Sequence, residues 1–141
     1  MSTRGEKRMR FGYISLLTDI EFEAKFTEEL KNNHLIGTQC KKCGTKYLPP
    51  RAHCTCGSKE LEWFEAPKQG KLLTFTVVAF PPEKMTEYAP YTVAVIELND
   101  GTRLLGHLTD IKQTNLKIGM QVQVVPHHIS ADRITFEFKP L

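Results

Sequence analysis

The stretch CKKCGTKYLPPRAHCTC, residues 40–56, contains all four cysteines of this 141-residue chain. The first pair, Cys40 and Cys43, has the C-x2-C spacing of a metal-binding turn and is followed by a glycine. The second pair, Cys54 and Cys56, is one residue closer. Two tight turns that each offer two thiolates meet the needs of a tetrahedral zinc ion, whose ligands lie at about 2.0 to 2.3 Å. The stretch therefore predicts a structural zinc site with Cys40, Cys43, Cys54 and Cys56 as its ligands.

Two alternatives remain open for this stretch. His53 and Cys56 restore the normal knuckle spacing, and imidazole is also a zinc ligand, so His53 could replace Cys54. The four cysteines could also stay reduced without a metal. Four protein ligands leave no open position, so a metal held in this way would be structural and not catalytic. Because a module of about 30 residues cannot bury a sufficient core, the metal would supply its folding energy.

The composition indicates a globular protein that works in a reducing compartment. Hydrophobic residues make up 40% of the chain and charged residues 25%, with a formal net charge of +3. No apolar run approaches the roughly 20 residues that span a bilayer. The basic N-terminus, MSTRGEKRMR, is not followed by the apolar segment of a signal peptide. We therefore expect a cytoplasmic protein whose clustered cysteines bind a metal and do not form disulfides.

A helix is predicted before the cysteine stretch, after a charged end at residues 1–17 that is either solvated or docks on a partner. Thr18 to Glu21 fits a capping box, and Leu17 and Phe22 are spaced as a hydrophobic staple. Phe22, Phe26 and Leu30 recur every four residues and form one apolar stripe. The stripe could pack on its own domain or on another protein.

From residue 71 onward the pattern changes to short runs rich in β-branched and aromatic residues. Five strands are predicted, with turn signals such as Asn99-Asp100-Gly101 between them, and this pattern favours a small closed barrel. The expected fold is mainly β, with a zinc ribbon followed by a five-stranded barrel. The expected division is 1–34 for the tail and helix, 35–66 for the ribbon and 67–141 for the barrel. The predicted strands are residues 72–80, 91–98, 102–108, 120–128 and 133–139.

The residues give no positive sign of an active site. No Ser-His-Asp or Cys-His pattern stands out, and the glycines form no phosphate-binding motif. His107 lies between apolar neighbours and is interpreted as a barrel-wall residue. We therefore expect that the isolated chain is not an enzyme, with no catalytic residues.

Several segments resemble the domain-of-unknown-function 35 family. The segment GTQCKKCGTKYLPPRAHC is similar to its rubredoxin-like zinc ribbon, and FEAKFTEELKNNHLIG to its N-terminal helix. The segments GKLLTFTVVAFPP, APYTVAVIELNDGTRLLGHL and LKIGMQVQVV are similar to its C-terminal OB-fold. The likeness covers almost the whole chain after about residue 18. The second cysteine pair departs from the family's usual C-x2-C spacing.

The resemblance implies a function in acyl-CoA metabolism. Archaeal members of the family resemble scaffolds that hold acetoacetyl-CoA thiolase and hydroxymethylglutaryl-CoA synthase together in the mevalonate pathway of isoprenoid biosynthesis. The resemblance thus predicts a non-catalytic scaffold for these two enzymes, with CoA or acyl-CoA as a possible ligand. The alternative is a single-stranded nucleic-acid-binding protein, because OB-folds stack bases on aromatic side chains. Phe75, Phe80, Tyr88 and Tyr91 could stack bases, although Phe75 is also expected in the core.

Overall fold

The computed structural model describes residues 10–13 and 20–141. The predicted capping box and the staple residue Leu17 lie outside the described residues or at their edge, as does the side chain of Phe22. The chain contains one α-helix, nine strands and two short 3-10 turns, at Glu83–Tyr88 and Gln113–Asn115, in the described part. The helix α1 spans Ile20–Lys31, and the strands are β1 (Arg10–Phe11), β2 (Ile36–Cys40), β3 (Lys46–Tyr47), β4 (Leu61–Glu65), β5 (Gln69–Val78), β6 (Tyr91–Leu98), β7 (Arg103–Leu108), β8 (Gln121–Ser130) and β9 (Arg133–Pro140).

Strands β5 to β9 form a closed barrel. The hydrogen-bonded order is β9-β7-β6-β5-β8, and β8 pairs again with β9 to close the sheet. Strands β7 and β9 run parallel, whereas the other pairs within the barrel are antiparallel. This arrangement is that of a five-stranded OB-fold, so the predicted fold class is confirmed.

The interior of the barrel follows the alternation in the sequence. Ile134, Phe136 and Phe138 on β9 point inward and are almost fully buried. Gly106 on β7 makes room for the two phenylalanine rings, because a Cβ there would lie 2.9 Å from Cζ of Phe138. The predicted tight turn at residues 99–101 joins β6 to β7, and Gly101 adopts the φ of +90° that such turns require. Gly106 thus fits the packing of the β6–β7 hairpin against β9, and Gly101 fits its turn.

Helix α1 packs on one end of the barrel. Phe26 is 2% exposed, and its ring lies edge-on to Phe11 at 5.0 Å between centroids and to Phe136 at 6.3 Å. Leu30 is equally buried. For these two residues the partner-facing alternative is wrong, because their side chains belong to the core of their own chain. The helix ends at Lys31, and Asn33 takes the left-handed φ of 65° common after a helix terminus.

The cysteine stretch forms a separate sheet that is joined to the barrel by a shared apolar core, which includes Leu35, Ile36 and Ala66, and by an ion pair. Strand β2 lies between β3 and β4 in this three-stranded antiparallel sheet. The N–H of Ala66 donates to the carbonyl of Leu35 at 2.7 Å and extends the pairing of β2 with β4 by one residue pair. Nζ of Lys46 lies 3.3 Å from Oδ2 of Asp100, which belongs to the β6–β7 turn. Helix α1, with 12 residues, is too short to cross a bilayer, and no other α-helix occurs in the described ranges.

Candidate metal centre

The first cysteine pair lies in a hairpin loop at the end of β2. The N–H of Cys40 donates to the carbonyl of Thr45, and the N–H of Gly44 donates back to the carbonyl of Cys40, both at 2.9 Å. Gly44 has a φ of +79°, a conformation that side-chain-bearing residues rarely adopt. Inside the loop the N–H of Cys43 points at Sγ of Cys40 from 3.4 Å. The glycine after the second cysteine therefore lets the chain curl so that both sulfurs share one side.

The second pair repeats this arrangement with one residue fewer. The N–H of Cys54 donates to the carbonyl of Ser58 at 2.9 Å, and the N–H of Gly57 donates to the carbonyl of Cys54 at 3.0 Å. Gly57 has a φ of +93°. The N–H of Cys56 points at Sγ of Cys54 from 3.5 Å. The C-x-C spacing thus shortens the turn without changing its hydrogen-bonding scheme.

The two turns face one another and bring four sulfurs together. All four Sγ atoms of the cysteines lie within 4.8 Å of one another. Sγ of Cys40 is 3.7 Å from that of Cys56, and Sγ of Cys43 is 3.3 Å from that of Cys54. A tetrahedral zinc ion with Zn–S bonds of about 2.3 Å separates its sulfur ligands by roughly 3.8 Å. The donor set and its spacing fit a zinc ion, and His53 does not belong to the group of converging ligand atoms.

The close approach of the thiols makes their acidities uneven. The N–H of Cys56 and then the hydroxyl of Tyr47 hydrogen-bond to Cys54 and lower the pKa of its thiol to about 6. The N–H of Cys43 lowers the pKa of Cys40. The N–H of Ser58 lowers the pKa of Cys56, but the side-chain contact with Cys54, burial and the other cysteines outweigh it and raise that pKa to about 11. Neighbouring thiolates repel one another, and a divalent cation bound among them removes this penalty.

Tyr47 is the residue of this centre that the cysteine pattern did not reveal. Its hydroxyl donates to Sγ of Cys54 at 3.2 Å and accepts the N–H of Thr55 at 3.0 Å. The guanidinium of Arg51 lies 5.0 Å from the centroid of the Tyr47 ring. Position 47 pairs with Thr38 across β2 and β3, and this register directs the tyrosine toward the second turn. A tyrosine four residues after a C-x2-C pair carries no signal of this role without the sheet register.

Buried Thr38 holds the loop that connects the two turns. Its hydroxyl donates to the carbonyl of Arg51 at 2.8 Å and accepts the N–H of Arg51 at 2.9 Å. The side chain is 1% exposed, and both backbone groups of Arg51 are satisfied by one oxygen. The Pro-Pro-Arg segment is therefore anchored on the central strand β2, and the second cysteine turn is positioned with it.

The aromatic residues considered for base stacking separate into different environments. Phe75 packs against the core, as expected, whereas Phe80 is 97% exposed on the loop after β5. The ring of Tyr91 stacks on His107 with centroids 4.6 Å apart. Tyr88 lies edge-on to Tyr13 at 4.8 Å. Phe75 and Phe80 therefore lie apart from Tyr88 and Tyr91, and the four rings form no single row.

His107 is half-buried on the outer face of the barrel between two tyrosine rings. Tyr13 stacks on the side opposite Tyr91, with centroids 4.7 Å apart. Burial, and then the charge of His127, lower the pKa of His107. Burial also raises the pKa of Tyr13 to about 12, and the charges of Glu137 and Tyr88 add to this effect. The interpretation of His107 as a plain wall residue missed the contribution of Tyr13, which is distant in sequence.

Comparison with known proteins agrees with both parts of the fold. Residues 27–62 match the family model of the rubredoxin-like zinc ribbon domain of ChsH2, and residues 63–127 match that of its C-terminal OB-fold domain. A solved structure described as an Ltp2-ChsH2(DUF35) aldolase superposes with a TM-score of 0.72 and 30% sequence identity. The superposition covers 90% of this chain and 98% of that one.

Some curated relatives are named scaffold proteins, and another is named an enzyme subunit. A DUF35 domain-containing scaffold protein from Methanocaldococcus jannaschii is 41% identical over 76% of this chain and 82% of its own length. A probable enoyl-CoA hydratase alpha subunit from Thermomonospora curvata is 36% identical over 67% of this chain, but over 30% of its own length. The ribbon, the barrel and the extent of these similarities show that the chain belongs to the DUF35 family, with a ChsH2-type zinc ribbon and OB-fold.

Proposed function

We propose that this chain is a non-catalytic scaffold that bridges acetoacetyl-CoA thiolase and hydroxymethylglutaryl-CoA synthase, so that acetoacetyl-CoA passes from one enzyme to the other. The observation that carries the proposal is the similarity along most of the chain to proteins named scaffolds. An aldolase structure that includes a DUF35 chain, and a relative named as an enzyme's alpha subunit, fit a protein that accompanies enzymes. The mevalonate pathway and a cytoplasmic location belong to the same proposal.

We further propose that Cys40, Cys43, Cys54 and Cys56 hold one structural zinc ion. The four converging sulfurs and the match to a zinc ribbon model support this assignment. Zinc bound by four thiolates has no free position for a substrate, so its contribution is to folding. The strands of the ribbon are five, two and five residues long, and the metal would close the end at which their turns meet.

The connection between ribbon and barrel suits a bridging role. The Lys46–Asp100 ion pair joins the ribbon to the barrel, and Leu35 and Ala66 of the ribbon are buried in the same apolar core as the barrel residues. Nζ of Lys68 on the barrel donates to the carbonyl of Asn33, just before the ribbon, at 2.9 Å. A scaffold whose two parts keep a fixed orientation holds its partners at a fixed distance. Proximity then raises the effective concentration of the intermediate at the second enzyme. Since the thiolase equilibrium disfavours acetoacetyl-CoA, removal by an irreversible step draws the first reaction forward.

The barrel also offers apolar groups for a protein interface. Phe80 and Leu105 are 97% and 61% exposed, and Phe80 is followed by Pro81 and Pro82. Exposed aromatic anchors on stiff segments lose little conformational entropy on binding and contribute a large share of interface energy. A protein partner uses such groups directly, whereas nucleic-acid binding depends mainly on cations that neutralise phosphates.

The test is reconstitution with purified thiolase and synthase. Size-exclusion chromatography with light scattering should show a complex of all three proteins, and the complex should persist at high salt. The isolated chain should release no CoA from acetyl-CoA or acetoacetyl-CoA. Binding of neither enzyme, together with salt-sensitive binding of single-stranded RNA, would replace the scaffold with the nucleic-acid alternative. Co-purification from native extract with mass spectrometry would identify other partner enzymes.

A further inference from the structure

The outer face of the barrel holds a stack of three parallel rings. Tyr91 on β6 and His107 on β7 lie within 20° of parallel, and Tyr13 covers the other side of the imidazole at an angle of 24°. Tyr88, in the 3-10 turn before β6, contacts the edge of Tyr13. In OB-folds the outer face of the second and third strands, here β6 and β7, is where ligands bind. The stack therefore occupies the part of the barrel that this fold most often uses for recognition.

A nearly buried carboxylate lies beside the stack. Glu137 on β9 is opposite His107 in the parallel register and is 7% exposed. Its Oε1 lies 3.8 Å from Nδ1 of His127 and 3.9 Å from Nζ of Lys139, and both separations are longer than a hydrogen bond. A buried carboxylate gains most from short N–H or O–H donors, and these two contacts do not supply them. The carboxylate of Glu137 can therefore accept a short hydrogen bond from a ligand on this face.

Tyr13 differs from the other rings of the stack in how it is held. It follows a two-residue strand, β1, that pairs with the start of β9, and the N–H of Gly12 donates to the carbonyl of Ile134 at 2.9 Å. Tyr91 and His107, in contrast, lie on long strands within the barrel. Removing the Tyr13 ring would leave the barrel pairing unchanged and would open one side of the imidazole. The ring of Tyr13 can therefore be removed without disrupting the barrel.

We propose that this face is a purine nucleotide site in which the ring of Tyr13 takes the place of the base. A purine would stack on the imidazole of His107, with Tyr88 against its edge, since aromatic stacking is available to every base. The N–H groups on the purine edge would donate to Glu137. The phosphate, at the opposite end of the nucleotide from this purine edge, would extend away from Glu137 toward solvent.

The number of ring positions limits the ligand to one base. Tyr91 and His107 are stacked on each other, so a single side of the pair becomes free when Tyr13 leaves. A strand of nucleic acid needs several successive platforms along a basic groove. Phe75 faces the core and cannot supply a second platform on this face. The shared chemistry is a purine ring with a phosphate, which could belong to a free nucleotide or to the adenine part of CoA.

The experiment removes the Tyr13 ring and measures binding of defined probes. Titration calorimetry of wild type and of Tyr13→Ala would use adenosine monophosphate, guanosine monophosphate and CoA as separate ligands. Tyr13→Ala should bind at least one probe about three- to tenfold more tightly than wild type, because the competing stack is lost. Adding His107→Ala should abolish the gain. Adding Leu105→Ala, an exposed outward position on the same strand, should not.

A second measurement follows the imidazole itself. In the wild type the ring protons of His107 should be shifted upfield by the two tyrosines, should move downfield in Tyr13→Ala, and should return when a nucleotide binds. Comparing the monophosphates with CoA distinguishes the two sources of the purine. The proposal would be overturned if a folded Tyr13→Ala bound none of the probes, or bound them no more tightly than wild type. Much tighter binding of an oligonucleotide than of a mononucleotide would also overturn it. This result does not depend on the proposed scaffold function, because complex formation with the enzymes is measured in a separate experiment without nucleotide.

Discussion

The N–H of Cys56 points at Sγ of Cys54 from 3.5 Å, as the N–H of Cys43 points at Sγ of Cys40 from 3.4 Å. The first bond spans two residues and the second spans three. Both turns then continue into a glycine with positive φ. A shortened cysteine pair therefore keeps the N–H to sulfur contact that stabilises a thiolate, and this similarity supports the proposal that the C-x-C pair is a metal-binding turn.

The first prediction concerns the fourth ligand of the proposed zinc site. Cys54→Ser should lose zinc and unfold the ribbon, because three thiolates and a hydroxyl are a poorer donor set for zinc. His53→Ala should keep about one equivalent, since His53 lies outside the group of converging sulfurs. Metal analysis after purification without chelators would measure both. A variant Cys54→Ser that keeps its metal, beside a His53→Ala that loses it, would show that the histidine is the ligand.

The second prediction concerns the hydroxyl of Tyr47. Tyr47→Phe removes the O–H donor that helps to lower the pKa of Cys54 to about 6, so the pKa of this thiol should rise. Zinc binds the deprotonated thiol, and its affinity should therefore fall by roughly tenfold, more at pH 6 than at pH 8. Competition with a chromophoric chelator at the two pH values gives the measurement.

The control for Tyr47→Phe lies in the connecting loop. Arg51→Ala removes the cation over the tyrosine ring, but its backbone hydrogen bonds to Thr38 remain. Arg51→Ala should therefore leave the pH dependence of zinc affinity unchanged. An equal loss of affinity at both pH values in Tyr47→Phe would mean that the ring, and not the hydroxyl, supports the centre.

Local patterns predicted the barrel well. The five predicted strands correspond to β5–β9, with ends shifted by up to three residues, because alternation and turn residues are local signals. The short strands β1 and β3, with two residues each, are too brief to produce a periodic pattern. Strand β1 pairs with a strand more than a hundred residues away, and no local sequence feature records that pairing.

The sequence predicted the apolar stripe of helix α1 but not which surface covers it. The spacing of Phe26 and Leu30 indicates a helix face but not what covers it, and the structure places both against the chain's own barrel. The cysteine cluster was predictable, since its members lie within 17 residues. The contacts of Tyr47 and the stack of Tyr13 on His107 depend on strand register and on a distant segment, which the sequence alone does not reveal.

The third prediction links the ribbon–barrel junction to pH. Burial raises the pKa of Asp100, but the hydrogen bond from the N–H of Thr102 and the contact with Lys46 outweigh it and hold that pKa below its usual value. A carboxyl with a lowered pKa stabilises the fold above the pKa of the unfolded chain, and the contribution is lost as pH falls through the folded value. Asp100→Asn should therefore cost about 0.5 to 1 kcal/mol at pH 7 and less near pH 3.

Chemical denaturation at pH 7 and pH 3 would test this difference. Asp110→Asn is the matched control, because Asp110 is an exposed acid whose positive φ suits asparagine equally well. The control should change the free energy of unfolding by less than about 0.5 kcal/mol at both pH values. A cost for Asp100→Asn that is the same at pH 3 as at pH 7 would contradict an electrostatic contribution from this carboxylate.

The fourth prediction concerns the surface that we propose contacts the partner enzymes. Phe26 is unsuitable for this test, because a charge at a buried position would unfold the chain. Phe80 is 97% exposed, so Phe80→Asp should change the free energy of unfolding by no more than about 0.5 kcal/mol. If Phe80 anchors the interface, the same change should weaken binding of an enzyme by about 30-fold or more, which corresponds to about 2 kcal/mol.

Ile118→Asp is the control for Phe80→Asp, since Ile118 is 62% exposed and precedes the turn at Gly119 on a different loop. Affinity for purified thiolase and synthase would be measured by surface plasmon resonance, beside thermal unfolding of each variant. A selective loss in Phe80→Asp places the loop after β5 at one enzyme interface, and the enzyme that loses affinity identifies which. Equal losses in both variants would indicate that added negative charge, and not a lost aromatic anchor, weakens the complex, and unchanged affinity in Phe80→Asp would remove this loop from the interface.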